Sequence, residues 1–372
     1  VNHLPMPIHG GEVVAVPPAA SLKRSFMLLV RLGRPKYLLY SWVLYTLGVA
    51  AAVYLGHTPS LASYVHGQLF VWCVHLMTHY CNEYFDLQAD LANPAPTAWT
   101  GGSRVLVEGL LKPWVSLTAS CVLLCTALLL ILAMPAEAQY AALIAVPLGW
   151  FYTAPPFQFN YRGLGELTVT TGLNGCVPVI GYTLASGEFS FFPFLLLLPA
   201  FLIQFVRMTI MNLQDYEGDI LVGKRTLPVR LGPRTIVHMH AVVQAVAYLM
   251  VIPGVLWMGV PIWVGLGVMA SSPVAVWHVA RLYRGAHKDP RTANNVVFWA
   301  STHCSLVVVG VYVGLLIDGY VQGRFAQLGG VADLFLLPIV IYTFILARQI
   351  RKNRPKAVVA PKATVAELVR AA

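Results

Sequence analysis

The residues best suited to chemistry lie in two short stretches that each end an apolar run. "CNEYFDLQAD" carries Asn82, Asp86 and Asp90, and "RMTIMNLQDYEGD" carries Asn212, Asp215 and Asp219. In each, two aspartates stand four apart with an asparagine about one turn earlier. At 3.6 residues per turn these positions stack along one face of a helix. Like charges at that spacing destabilise an isolated helix, and acids at a helix C-terminus oppose its macrodipole. Two solvated helix ends would explain the polarity of one such stretch. The recurrence, from Asp86 and Asp90 to Asp215 and Asp219, implies a cation that offsets the repulsion. Carboxylates without His or Cys suit a hard ion. Mg²⁺ takes one or two protein carboxylates and completes its octahedron with water and phosphate oxygens. Asn82 and Asn212 can support or orient such an ion without adding charge.

Basic residues flank the acids in glycine-containing loops: Arg104 in "TGGSRVLVEG", Arg162 in "FNYRGLGEL", and Lys224 with Arg225 in "VGKRTLPVRLG". Each alone reads as a topology determinant. Together, facing a metal cluster, they suit a diphosphate whose oxygens are bridged by metal and neutralised by cations. Tyr84, Phe85, Tyr152 and Tyr161 lie close by and could shield a carbocation with their π faces, although aromatic belts at membrane interfaces are routine. Arg207 stands two turns before Asp215 on the face shared by Met211, about 12 Å deeper along the axis. An ionisable residue at that depth usually faces a cavity. It is a candidate to hold the carboxylate or phenolate of an acceptor, with Gln204 one turn deeper and Asn174 as weaker polar candidates.

The elements that position these residues follow from composition. Of 372 residues, 58% are hydrophobic and only 11% charged, against about 25% charged in soluble domains. Apolar runs long enough to cross a bilayer predict helices near 37–55, 63–82, 113–134, 138–155, 167–186, 191–213, 235–258, 261–283, 296–317 and 331–348. Lys and Arg concentrate before the first of these, in every second loop, and after the last. The opposite loops are nearly bare, with Arg324 the exception. That asymmetry places both termini and both acidic stretches on the cytoplasmic side. It also explains the net charge of +10 by apposition to an anionic leaflet, leaving no role for nucleic acid. Residues 1–30, with Pro5, Pro7, Pro17 and Pro18, read as a disordered lead-in, and 349–372 as a basic cytoplasmic tail. The six cysteines are scattered through apolar runs without Cys-x-x-Cys and read as small buried hydrophobes. His75, His79, His238, His240, His278 and His303 read as satisfied or interfacial histidines.

At its acidic stretches the sequence resembles the UbiA superfamily of intramembrane prenyltransferases. Asn82, Asp86 and Asp90 match the family's Asn-x-x-x-Asp-x-x-x-Asp motif, and Asp215 and Asp219 its Asp-x-x-x-Asp motif. "NEYFD", "YTAPPFQFNYRGLGEL" and "NLQDYEGDILVGKRTLPVRLG" look most like the menaquinone-type branch, which prenylates 1,4-dihydroxy-2-naphthoate. Glu83 stands where many members have Asp and is expected to act at most from behind the ligands. The resemblance covers residues 31–318. It implies an all-α, polytopic transmembrane bundle of nine helices around a central cavity; residues 319–348 depart from that pattern and read as an extra, tenth helix that returns the basic tail to the cytoplasm. It further implies about two Mg²⁺ ions held by Asp86, Asp90, Asp215 and Asp219 and bridging a polyprenyl diphosphate. The expected activity is transfer of the prenyl group to an aromatic acceptor within the bilayer, in the cytoplasmic membrane if the source is bacterial. The alternative is a UbiA-type membrane terpene cyclase, which ionises the same diphosphate without an acceptor. A transporter fits less well, because the acids lie at the membrane edge and no internal repeat is evident.

Overall fold

The computed structural model describes residues 22–93, 96–97, 99–325 and 331–353, and among them every regular element is helical. In chain order these are α1 (Leu22–Leu32), α2 (Leu38–Tyr54), α3 (Leu61–Phe85), α4 (Leu87–Ala92), α5 (Pro113–Leu132) and α6 (Ala136–Trp150). Then come α7 (Gly165–Thr170), α8 (Val177–Ser186), α9 (Phe192–Gln214), α10 (Tyr216–Leu221), α11 (Leu227–Leu231) and α12 (Pro233–Leu249). The chain closes with α13 (Val251–Trp257), α14 (Ile262–Met269), α15 (Ser272–Tyr283), α16 (Pro290–Val321) and α17 (Val331–Lys352). Each of the ten predicted apolar segments is helical over most of its length. Among the described residues, six helical stretches are by length and composition apolar enough to cross a membrane.

Several long segments are broken where the sequence supplies a cause. A π-helical stretch, Thr171–Cys176, joins α7 to α8 just before Pro178, whose missing N–H cannot extend the hydrogen-bond ladder. The lead-in read as disordered holds an amphipathic helix over 22–32. Its Leu32 is buried with Tyr80, Val105 and Leu106 beneath the loop that follows α4; residues 1–21 lie outside the described residues, as do 354–372 of the tail.

Apolar side chains alone give membrane helices little reason to associate, because lipid tails are equally apolar; close backbone approach at small residues does. A Cβ on Gly48 of α2 would overlap the Pro178 carbonyl of α8, and one on Gly181 of α8 would overlap the Tyr45 carbonyl of α2. Gly267 of α14 and Gly310 of α16 meet in the same way. The central core joins residues of α2, α3, α8, α9 and α16, including Tyr45, Phe70, Ile180, Leu197 and Val308. The outer faces stay apolar, with Leu129, Leu132, Leu249 and Val276 exposed, as contact with lipid requires.

Candidate active site

The two acidic stretches meet because their helices are interrupted alike. α3 ends at Asp86 and α9 at Asp215, where φ and ψ of about −90° and 0° (−92° and 3°, −94° and 4°) bend the chain into α4 and α10. The sequence suggests an unbroken helical face; the first aspartate of each pair is instead a joint. The stacking survives, since Asp90 N donates to the Asp86 carbonyl at 2.9 Å and Asp219 N to that of Asp215 at 2.8 Å. α4 and α10 pack side by side, and Asn93 Nδ2 donates to Asp215 Oδ1 at 2.5 Å, tying the two motifs together.

These residues form one end of a cavity of about 370 Å³ that runs down between α2, α3, α8, α9 and α16, within the range typical of ligand sites. Asn82, Asp86, Asp90, Tyr152, Arg207, Asn212, Asp215, Asp219 and Lys224 all line it. The Lys224 ammonium is buried between the motifs, 3.0 Å from Asp86 Oδ2 and 3.6 Å from Asp219 Oδ1, and 5.3 Å from the Tyr161 ring centre. Thr226 Oγ1 donates to Asp219 Oδ2 at 3.0 Å. Behind the motifs, buried Glu166 accepts from Asn212 Nδ2 at 2.9 Å and from Leu227 N at 3.0 Å, which fixes the amide of Asn212.

The other basic loop residues are placed differently. Arg104 holds φ at 67° and donates from Nη1 to the Asp90 carbonyl, so it steadies α4 from behind. Arg162 turns back to the Pro156 carbonyl and Arg225 is exposed; neither reaches the cavity wall, and Tyr161 touches the site through Lys224. Two cations that the sequence assigned only to topology, Arg34 and Lys36, do line it. Glu83 is 2% exposed and accepts from Arg34 Nε at 2.9 Å, from Ser103 N at 2.7 Å and, through Oε2, from Ser103 Oγ at 2.8 Å. It thereby pins the loop whose Gly102 lies so close to Asp90 that a Cβ there would strike its carboxylate. Nothing in the local sequence pairs residues 34, 83 and 103, which are joined only by tertiary structure.

Burial pushes the Asp90 carboxyl up to about 8, reinforced by the charges of Asp86 and Glu83. Asp215 rises to about 7 through burial and its neighbour Asp219. Burial lifts Asp219 to about 6, with Lys224 pulling the other way. For Lys224, burial works against the charged form, but Asp86 and Asp219 outweigh it and hold the ammonium well above its ordinary value. Even with Lys224 present, then, the acid cluster lacks positive charge. Asp86 Oδ1 is buried with no hydrogen-bond partner. An oxygen-only donor set with an orphaned carboxylate oxygen fits Mg²⁺. Among the described residues no three carboxylates, imidazoles or thiols close around one point, so these side chains alone do not complete the coordination of an ion.

Deeper in the cavity, Arg207 donates from Nη1 to Ser301 Oγ at 3.1 Å and approaches Met208 Sδ at 3.3 Å, while its Nε is buried without a partner. Gln204 Nε2 is likewise unpartnered, and its Oε1 accepts from Cys304 Sγ at 3.3 Å. Asn174, in the π-helical stretch, is fully buried and does not line the cavity; it donates to Tyr40 Oη, which does, at 3.2 Å. Outside the cavity, His240 pairs with His278 and His303 with Tyr248, in keeping with satisfied histidines.

The sequence profile of the UbiA prenyltransferase family matches residues 41–307. A 1,4-dihydroxy-2-naphthoate octaprenyltransferase of Bacillus subtilis is 25% identical over 298 residues, covering 78% of this chain and 93% of its own. A digeranylgeranylglyceryl phosphate synthase of Thermococcus kodakarensis is 26% identical over 295 residues, covering 78% and 99%. Among solved structures, a UbiA homologue from Archaeoglobus fulgidus bound to DMAPP and Mg²⁺ superposes with a TM-score of 0.55 at 18% identity, over 78% of this chain and 99% of its own. An apo UbiA homologue from Aeropyrum pernix gives 0.60 at 18% identity, over 76% and 98%.

Proposed function

The chain belongs to the UbiA prenyltransferase family, and on that premise we propose that it moves a polyprenyl group from its diphosphate to an aromatic acceptor such as 1,4-dihydroxy-2-naphthoate. The observation that carries this reading is a single cavity with an acidic, lysine-bridged mouth and a buried arginine with an unused donor farther down. We place the mouth on the cytoplasmic side, from the charge asymmetry of the loops, and read residues 31–318 as the catalytic unit.

Magnesium bound through Asp86, Asp90, Asp215 and Asp219, with Asn82 in support, would bridge the diphosphate and stabilise the charge it gains as the allylic C–O bond breaks. The protein's own groups do the rest. Lys224, fixed by two carboxylates, sets a buried positive charge beside the leaving group, where a preorganised charge acts most strongly. The apolar wall below the mouth receives the prenyl tail and keeps water from the allylic carbon, with Tyr152 presenting a ring near the mouth. Arg207 Nε and Gln204 Nε2 are donors without acceptors, so a carboxylate or phenolate on the acceptor would satisfy both and orient its ring towards C1. The new C–C bond forms at C1, the diphosphate leaves with the electrons of the C–O bond, and the proton of the ring carbon passes to the released diphosphate.

The test is product analysis. The purified protein is incubated with Mg²⁺ and labelled prenyl diphosphates, with and without 1,4-dihydroxy-2-naphthoate or 4-hydroxybenzoate, using Asp86→Ala as the control. A prenylated aromatic formed only with acceptor supports the reading. A hydrocarbon or terpene alcohol formed from the diphosphate alone would replace transfer with cyclisation. Coupling only to a glycerol phosphate lipid would move the acceptor to the other class named among the relatives.

A further inference from the structure

The family match ends at residue 307, and the Archaeoglobus homologue is spanned almost completely by 78% of this chain, which leaves about a fifth of it without a counterpart. α17 begins beyond the end of the family match, yet it packs against both α2 and α16, which also touch each other. Its side chains divide into two faces at helical spacing. Leu337, Val340 and Phe344 point outward and are exposed, an apolar face suited to lipid. On the other face, Ile339 joins the central core at 5% exposure, while Tyr342, Ile345, Leu346 and Gln349 line the cavity. Leu346 is itself 6% exposed.

Tyr342 fixes this helix to the wall of the site. Its hydroxyl lies 2.6 Å from Ser305 Oγ, and its ring centre 6.4 Å from that of Tyr40 on α2. Ser305 Oγ in turn donates to the carbonyl of Ser301, the residue whose hydroxyl receives Arg207. The helix beyond the family's span is therefore anchored at the depth of the acceptor-facing residues.

We infer that α17 is the side wall of the reaction cavity at the seam between α2 and α16, and that Leu346, held in register by Tyr342, limits the length of prenyl tail the enzyme accepts. The physical reason is miscibility. Where a cavity opens sideways into the bilayer, a tail of any length can run out among lipid chains at little cost, so length is not discriminated. With the seam covered by Ile345 and Leu346, the tail must be housed in a cavity of about 370 Å³, and each added isoprene unit has to find room inside. The inference rests on the chain's cleaving a prenyl diphosphate and is independent of the acceptor class.

The test uses the full chain and Mg²⁺, with donors from C10 through C20 to longer diphosphates, and reads diphosphate release, which a transferase and a cyclase both produce. In the unaltered protein, kcat/KM should fall about tenfold or more beyond a definite donor length. Leu346→Trp should move that limit to a shorter donor, and Leu346→Ala to a longer one. Tyr342→Phe should blunt the limit, raising KM across donors more than it lowers kcat. An unaltered protein that accepts all lengths alike would overturn the wall. So would Leu346 variants that scale every donor by the same factor. If Leu346→Trp fails to fold, Leu346→Ala alone decides. The acceptor question is settled separately by the identity of the products.

Discussion

The acid cluster makes a quantitative prediction about pH. Asp90, Asp215 and Asp219 stand at about 8, 7 and 6 in the metal-free protein, so at about pH 6 most of the proton sites on these three groups are filled. A metal ion needs carboxylates and must expel those protons. At about 1.4 kcal/mol per pH unit, Asp90 alone opposes binding by about 3 kcal/mol at pH 6. Between about pH 6 and about pH 8.5 the three acids shed about two protons, and metal affinity should climb by about three orders of magnitude. Mn²⁺ is a suitable probe, because the free ion is counted directly by electron paramagnetic resonance. Omitting the diphosphate keeps its own ionisation out of the measurement. Asp90→Asn should remove most of the rise above neutrality and about half of the rise between about pH 6 and about pH 7. The sign for folding is the reverse of that for an ordinary salt-bridged acid. These carboxyls bind protons more tightly folded than unfolded, so the metal-free protein should lose stability as pH rises from about 4 through about 8, and Mg²⁺ should restore it. An affinity that stays within about threefold over this range would refute the reasoning, because the acids would then be ionised without help.

Lys224→Met leaves Asp86 and Asp219 buried without their shared cation and should cost about 3–5 kcal/mol, seen as an early thermal transition in detergent that Mg²⁺ partly reverses; an unmoved transition would count against the bridge. Glu83→Gln removes the charge that holds Arg34 and Ser103 and should cost a similar few kcal/mol, together with weaker Mn²⁺ binding as the Gly102 loop leaves Asp90. Full retention of both properties would show that the loop is held by other contacts. Arg207→Met should raise KM for the acceptor at least tenfold while KM for the diphosphate stays within about twofold, and equal loss of both would remove Arg207 from the acceptor site. Gly48→Ala pushes a methyl group into the Pro178 carbonyl and should prevent recovery of a folded protein from membranes, with Gly254→Ala, whose methyl would meet Val260 at an ordinary 3.5 Å, as the control.

Spans, acid motifs and the depth of Arg207 were legible because each is a local pattern: apolar length, a four-residue period, a fixed rise. The joints at Asp86 and Asp215 were not, since an i,i+4 spacing is kept whether the helix continues or bends. The cations divided by the same logic. Lys224, Arg162 and Arg225 occupy equivalent places in basic loops, and only the fold reveals that Lys224 turns inward between two carboxylates while Arg225 faces solvent. Arg34 and Lys36 read as topology signals because a charge count carries no direction. Glu166, in the first turn of α7, finds its partner Asn212 only through the fold, although an acid followed by a long uncharged run is the kind of residue a buried polar partner requires.

The glycine contacts have a mechanical consequence. α2 touches α8 at Gly48 and Gly181, and α14 touches α16 at Gly267 and Gly310, backbone against backbone, with no side chain between them at those points. Each pair is in effect one stiff beam. Any opening of the cavity must then come from one beam tilting against the other, along the line where α17 lies across α2 and α16. Labels placed on partners within a beam should keep their separation through the catalytic cycle, and labels across the two beams should register the breathing of the site.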